Sequence, residues 1–267
     1  MSQDQVDKVD ELLKGTYKFS YQYCASVAVK SKHKILYSSK ISNSCQRVVV
    51  RLDTGIIVKI YAVYMPSENY GPYLLEKHPN IPFIILDLNE MTRRLEMGRI
   101  ATCEEMKDDL KNAEKCPVFV FGDFNSPSDM DYKGQLRPYE WPTTKILRAH
   151  GGFTDSFREA NPCPAQYPGH SWATIYKNIH ENGTPGREPQ DRIDFIFYKA
   201  GTTCRCVQSE LFVDEYVEKP NIVEYNVWPS DHFAVISRFN MDVGKATTSS
   251  VRQSLVDGHS CLRCGQR

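Results

Sequence analysis

Apolar residues fall at two spacings along this chain, and the switches between them mark out its elements. Val6, Val9 and Leu13 recur at helical spacing and stop at Gly15, which predicts a short amphipathic helix. Ser26 to Val29 and Val48 to Leu52 read as strands, and Asp53-Thr54-Gly55 turns the chain into another, Ile56 to Tyr64, so a hairpin is expected there. The proline-containing stretch from Pro66 to Pro82 reads as loop. Leu88, Met91 and Leu95 predict a helix broken near Gly98, and Thr102 with Glu105 forms a capping-box pattern ahead of Met106 and Leu110.

Two apolar runs are strand-sized, Pro82 to Leu86 and Pro117 to Phe121. The core of the second, Val118 to Phe121, has the continuous character of a strand buried on both faces, and it ends abruptly in Gly122-Asp123-Phe124-Asn125. Thr143 to Ala149 reads as a short helix closed by Gly151 and Gly152, and Ile193 to Tyr198 and Phe233 to Phe239 are the last strong strands. Between Tyr176 and Gln190 the residues are those of a surface loop. Strands and helices alternate, so the class is mixed α/β, with one domain over residues 1–241 and a polar, mobile tail over 242–267.

Composition narrows the partners. The 33 basic and 33 acidic side chains cancel, whereas a protein that grips long duplex nucleic acid usually carries a basic surplus. The balance tilts towards a small or single-ended phosphorylated substrate. No stretch approaches the roughly 20 apolar residues that span a membrane, and a monomer is expected. Nine scattered cysteines do not read as a disulfide framework. The start, Met1-Ser2-Gln3-Asp4-Gln5, carries no secretory or transit signature, and compartment stays open. His259, Cys261 and Cys264 supply only part of a zinc site, so an untethered tail is the default there.

Three segments place polar residues at or beside the end of a predicted strand: Gly122-Asp123-Phe124-Asn125, Arg192-Ile193-Asp194 and Ser230-Asp231-His232. Taken alone, the first reads better as a turn after a buried strand, and the third as a cap or turn. Together they hold what phosphoester hydrolysis requires. A hard cation needs carboxylate oxygens. An attacking water needs a base such as histidine, and that base needs a carboxylate to fix its orientation.

In this order and at these separations the three segments resemble the endonuclease/exonuclease/phosphatase family, over about Tyr21 to Phe239. The resemblance implies a four-layer α/β sandwich, two mainly antiparallel sheets face to face with flanking helices. It also implies a magnesium- or manganese-dependent hydrolase of phosphoesters, whose substrate is a nucleic acid, a phospholipid or an inositol phosphate. By position, Asp123 resembles the aspartate that handles the nucleophilic water or the leaving group. Asn125 resembles the amide that holds a phosphate oxygen, and His232 the histidine at the scissile phosphate, with Asp194 as its orienting partner. Asp231 resembles a metal-ligand aspartate. Tyr64, in Tyr64-Met65-Pro66, resembles a phenol directed at the phosphate, with a strand-end aromatic as the alternative reading. His170-Ser171-Trp172 lies where relatives line the pocket; Trp172 and Arg192 are therefore placed at its edge, with packing the alternative for Trp172. Tyr70-Gly71-Pro72-Tyr73 and Trp141-Pro142-Thr143 resemble a poorly characterised branch of the family.

One departure is expected to matter. The family pattern opens with two strands, the second ending in Gln-Glu, whose glutamate is the chief magnesium ligand. Both should precede the helix at Val6 to Leu13, where only five residues stand. Gln3-Asp4 is a degenerate match at best, so no residue is assigned to that glutamate, and exposed apolar sheet edges are expected. The runner-up reading is a non-catalytic module of the same fold that holds phosphate through Asn125, His232 and Tyr64.

Overall fold

The structure, a computed structural model, describes residues 11–12, 19–24, 27–132, 138–173, 188–202, 204–212 and 230–241. Most of the expected helix at Val6 to Leu13, of which Glu11 and Leu12 are described and helical, most of the loop from Tyr176 to Gln190 and the tail from 242 onward lie outside the described residues.

Ten strands and six helices follow one another in these segments. Strands β1 (Phe19–Cys24), β2 (Val27–Ser31), β3 (Lys34–Lys40), β4 (Cys45–Arg51) and β5 (Ile57–Tyr64) come first. Four helices follow, α1 (Gly71–Lys77), α2 (Phe83–Asn89), α3 (Met91–Thr102) and α4 (Glu104–Lys111). Then come β6 (Val118–Asp123), α5 (Pro142–Gly151), β7 (Thr154–Asp155), α6 (Ser156–Ala160), β8 (Asp194–Lys199), β9 (Cys204–Phe212) and β10 (Ala234–Met241).

Six strands form one sheet in the order β3-β4-β5-β6-β8-β7, antiparallel throughout except that β5 and β6 run parallel. The hairpin expected around Asp53-Thr54-Gly55 is present, with Arg51 paired to Ile57. Period-two alternation sorts the sheet's side chains onto two faces. Tyr61, Val63, Val118, Val120, Phe195 and Phe197 pack against Met97, Ile100, Met106 and Leu147 of the helices. Their strand neighbours Val58, Ala62, Phe119 and Tyr198 face the other way, onto Val29 of β2, Cys204 and Cys206 of β9, and Phe239 of β10. The opposing β layer comprises two antiparallel ribbons, β1-β2 and β10-β9. The mixed α/β sandwich is therefore as expected, and Val118 to Phe121 is indeed covered on both faces.

Four local expectations are corrected. Pro66 to Pro82 is not all loop, because α1 lies inside it with Pro72 in its first turn, where the missing N–H is no loss. Pro82 to Leu86 is not a strand: Phe83 opens α2, which buries only Leu86. A short apolar run cannot be told from a helix by periodicity. Helix α3 runs through Gly98 to Thr102, since a single glycine costs only about 1 kcal/mol. The cap of α4 is Cys103, whose sulfur accepts the Met106 N–H at 3.4 Å, while Thr102 donates back to the Gly98 carbonyl at the end of α3. No helix among the described residues is long and apolar enough to cross a membrane.

Candidate active site

The strand ends of β5, β6 and β8 line up in register: Tyr64 lies beside Asp123, and Asp123 opposite Asp194. All three occupy positions of the same parity as Ala62, Phe121 and Ile196, so their side chains project from the ribbon-facing side of the sheet. Gly122 brings Asp123 there. Its φ of 135° favours glycine, and a Cβ built on it would lie 2.0 Å from the Val63 carbonyl oxygen. Asn125 then takes a left-handed conformation, φ 44°, which asparagine tolerates better than most residues. Its backbone N–H donates to Asp123 Oδ1 at 2.8 Å, and its amide donates to Asp123 Oδ2 at 3.0 Å and to the Met65 carbonyl at 2.8 Å.

His232 arrives from just ahead of β10. Its Nδ1 is 2.8 Å from Asp194 Oδ2. Buried Ser171 supports that pair: its hydroxyl accepts the N–H groups of Ile193 and Asp194, each at 3.1 Å, and its carbonyl accepts the Phe233 N–H at 2.8 Å. The indole of Trp172 donates to Asp231 Oδ2 at 3.3 Å, and its ring meets Tyr70 edge-on at 5.3 Å. The result is a cleft of about 560 Å³ lined by Tyr64, Tyr70, Asp123, Trp172, Asp231 and His232, among others. Two other concavities, of about 670 and 740 Å³, are larger but bring no comparable set of carboxylates together.

Electrostatics set this cleft apart. Burial pushes the Asp123 carboxyl up; Asp194 and Asp231 push further, His232 and the Asn125 N–H pull back, and the balance leaves it at about 7. For His232 burial acts downward, but the hydrogen bond and charge of Asp194, with Asp123 and Asp231, outweigh it and raise the imidazole to about 9. Ligand atoms of Asp123, Asp194 and His232 all lie within 4.8 Å of one another. Carboxylate oxygens are the donors magnesium and manganese prefer. A divalent cation fits this set because it would relieve the repulsion from Asp194 and Asp231 that adds to burial in holding Asp123 up.

Of the residues singled out from sequence, Tyr64, Asp123, Asn125, Trp172, Asp194, Asp231 and His232 all line this one cleft. Asp231 stands outside the tight Asp123–Asp194–His232 group. Arg192 is corrected. It is 2% exposed and turned away from the cleft, pairing with Asp131 and with Asp155 at 2.8 Å. Ile193, just ahead of β8, and Asp194, its first residue, line the cleft instead. Sequence reasoning missed Ser67 in the lining; it named Ser171 beside Trp172 as a pocket position but not its bracing of Ile193 and Asp194, which only the fold shows. Gln3 and Asp4, the degenerate match to the family's glutamate, lie outside the described residues.

A sheet carrying carboxylates and a histidine at adjacent strand ends, opposed by β ribbons and backed by helices, is the architecture of a phosphoester-hydrolase fold. The chain belongs to the Endonuclease/Exonuclease/phosphatase family, whose model matches residues 35–232. It is 30% identical over 228 residues to an uncharacterized protein, F14F9.5, of Caenorhabditis elegans, covering 79% of this chain and 69% of that one. Among solved structures it is similar to truncated TDP2 of Caenorhabditis elegans, with a TM-score of 0.53 at 13% identity over 91% of this chain and 82% of that one. It is similar also to beta toxin of Staphylococcus aureus, with a TM-score of 0.53 at 16% identity over 89% and 83%. Identities this low speak for the fold alone.

Proposed function

We propose that this protein hydrolyses phosphoesters in the cleft at the ends of β5, β6 and β8, with magnesium or manganese as cofactor. The observation that carries the reading is the His232–Asp194 hydrogen bond of 2.8 Å beside the Asp123–Asn125 pair. In this reading Asp194 fixes the imidazole's orientation, so that the ring's second nitrogen meets the scissile phosphate. Asp123 takes the proton of the attacking water, or serves the leaving oxygen. Asn125 donates both amide hydrogens, to Asp123 and to the Met65 carbonyl, and so keeps the aspartate in place; one of these bonds must open for the amide to meet a phosphate oxygen. Tyr64, 39% exposed, contributes a phenol from the neighbouring strand. Asp231, with Asp123 and Asp194, supplies oxygens for the cation, which when bound neutralises phosphate charge.

Among the described residues lining the cleft there is no lysine or arginine. The rings of Tyr64, Tyr70, Tyr73 and Trp172 in the lining, with a net charge of zero, favour recognition of one phosphate over a long polyanion.

The test is hydrolysis of bis-(p-nitrophenyl) phosphate and p-nitrophenyl phosphate with magnesium, manganese or EDTA. Turnover is expected with metal, and neither with EDTA nor in His232→Ala. Equal release by the native chain and His232→Ala would remove the assignment. A folded, inert chain that still binds inorganic phosphate would make it the binding module instead.

A further inference from the structure

Behind the cleft lies a buried ion pair that none of the chemistry above uses. Glu90 sits at the junction of α2 and α3 and is fully buried; Arg93, one turn on, is 1% exposed. All five N–H donors of the Arg93 guanidinium are committed. Nε and Nη2 fork onto the two oxygens of Glu90. Nη1 donates to the carbonyls of Pro66 at 3.0 Å and Glu68 at 2.8 Å, and Nη2 also to that of Asn69 at 2.7 Å. Three carbonyls from four consecutive residues converge on one cation, and Asn69 takes φ 57° at that turn. The turn carries Ser67 and leads into Tyr70, both in the cleft lining, and it follows directly on Tyr64.

The same pair reaches the second catalytic loop. Glu90 Oε2 accepts the hydroxyl of Ser126 at 3.0 Å, the residue after Asn125. Gly71 packs so closely that a Cβ there would lie 2.7 Å from Glu90 Oε1, so α1 also starts on this pair. The two loops meet each other only a few residues away, where the Asn125 amide donates to the Met65 carbonyl.

We propose that Glu90 and Arg93 are positioning residues for the cleft: one buried charge pair sets the spacing between the Tyr64–Tyr70 rim and the Asp123–Ser126 loop. The inference rests on the proposed hydrolase reading for its kinetic consequence, but not for its structural one. Neutral residues of similar shape would fill the space; a bidentate pair with three carbonyl acceptors fixes a geometry.

The test compares Arg93→Lys with Arg47→Lys. Both replace a guanidinium bound to a buried carboxylate, but Arg47 and Asp109 lie apart from the cleft. Lysine keeps the charge and loses the fork. In Arg93→Lys, amide hydrogen exchange over residues 67–70 is expected to quicken while that of β6 stays native. Turnover of bis-(p-nitrophenyl) phosphate should fall on the order of 10- to 100-fold, chiefly in kcat, as expected for misplaced catalytic groups. Arg47→Lys should keep kcat within about twofold even at a similar loss of Tm, the usual separation of a stability effect from a positioning one. Native exchange at 67–70 in Arg93→Lys, with kcat no lower than in Arg47→Lys, would overturn the proposal. If the native protein turns over no phosphoester, the hydrolase reading falls on its own, and the exchange result alone decides the positioning role.

Discussion

Two clusters of buried charge stand either side of Ile193, and they are built to opposite rules. Asp131, Asp155, Arg158 and Arg192 close on themselves: two carboxylates meet two guanidiniums, and Arg158 also donates to the carbonyls of Asn161, Tyr167 and Pro168. The rings of Phe157 and Phe195 pack against the Arg192 guanidinium. Across the strand, Asp123, Asp194 and Asp231 share a single imidazole. The first cluster leaves no charge over and reads as scaffold. The second carries an excess of negative charge that no lysine or arginine among the described residues of the cleft balances. Position in sequence does not separate them, since Arg192 and Asp194 are two residues apart; charge balance does.

The largest expected effect breaks the unbalanced cluster. His232→Ala and Asp194→Asn should each lower kcat/KM on the order of 10²- to 10⁴-fold, the usual contribution of an acid–base group and its support. Their Tm should stay close to native. Retention of more than a tenth of the activity by both variants would take these residues out of the chemistry. Breaking the balanced cluster should do the reverse. Asp131→Ala leaves two buried guanidiniums facing Asp155 alone and should destabilise the fold by about 3–5 kcal/mol. Urea unfolding reads that loss, and a change under about 1 kcal/mol would mean the network is not scaffold.

Much of the contrast is legible in the sequence. The strands that carry Asp123 and Asp194 announce themselves, because a continuous apolar run ending in polar residues has few other interpretations. Asp123, Asn125, Asp194, Asp231 and His232 are found from their residue types, since the chemistry restricts which side chains serve. Arg192 misled because it lies ahead of β8, outside the strand's alternation, and its partners Asp131 and Asp155 are far off in sequence. The helix at Gly71–Lys77 was hidden by prolines, one of which sits in its first turn. The Glu90–Arg93 pair could not be seen at all, since its partners are backbone carbonyls 24 to 27 residues upstream. Backbone acceptors have no signature in side-chain sequence.

A third carboxylate sharpens the comparison, because it is buried with neither a cation nor a place in the cleft. Asp191 accepts the hydroxyls of Tyr70 at 2.8 Å and Tyr132 at 3.0 Å. Burial raises its acid to about 6; the two tyrosines pull it down and Asp131 pushes it up. The folded chain therefore holds this proton more tightly than the unfolded one. Its contribution to stability is fully present below about pH 4 and is lost as pH rises through 6. Asp191→Asn keeps the shape and removes the charge. Relative to native, the variant should gain stability between about pH 4 and 6, by roughly 1–3 kcal/mol, and hold the gain above that. Urea unfolding at pH 4.5 and 7.5 gives the difference, and a gap between native and variant that does not change with pH would refute the assignment.

The smallest effect expected is the one that most directly separates the two clusters. If excess negative charge marks the cleft, a divalent cation should stabilise the native protein, and it should do so through the cleft alone. At magnesium about tenfold above its Kd the linkage is worth about 1.4 kcal/mol, a few degrees in Tm for a chain of this size. Asp194→Asn and Asp123→Asn each remove a carboxylate from the group and should lose most of that rise. Asp155→Asn, which disturbs the balanced cluster, should start from a lower Tm and still show the full rise. Scanning calorimetry with and without magnesium distinguishes these outcomes without reference to catalysis. An equal rise in all four proteins would place the cation on the acidic surface and leave the excess charge of the cleft for the substrate's own counter-ion to meet. A rise lost only in the two cleft variants would locate the metal by charge balance, independently of any turnover.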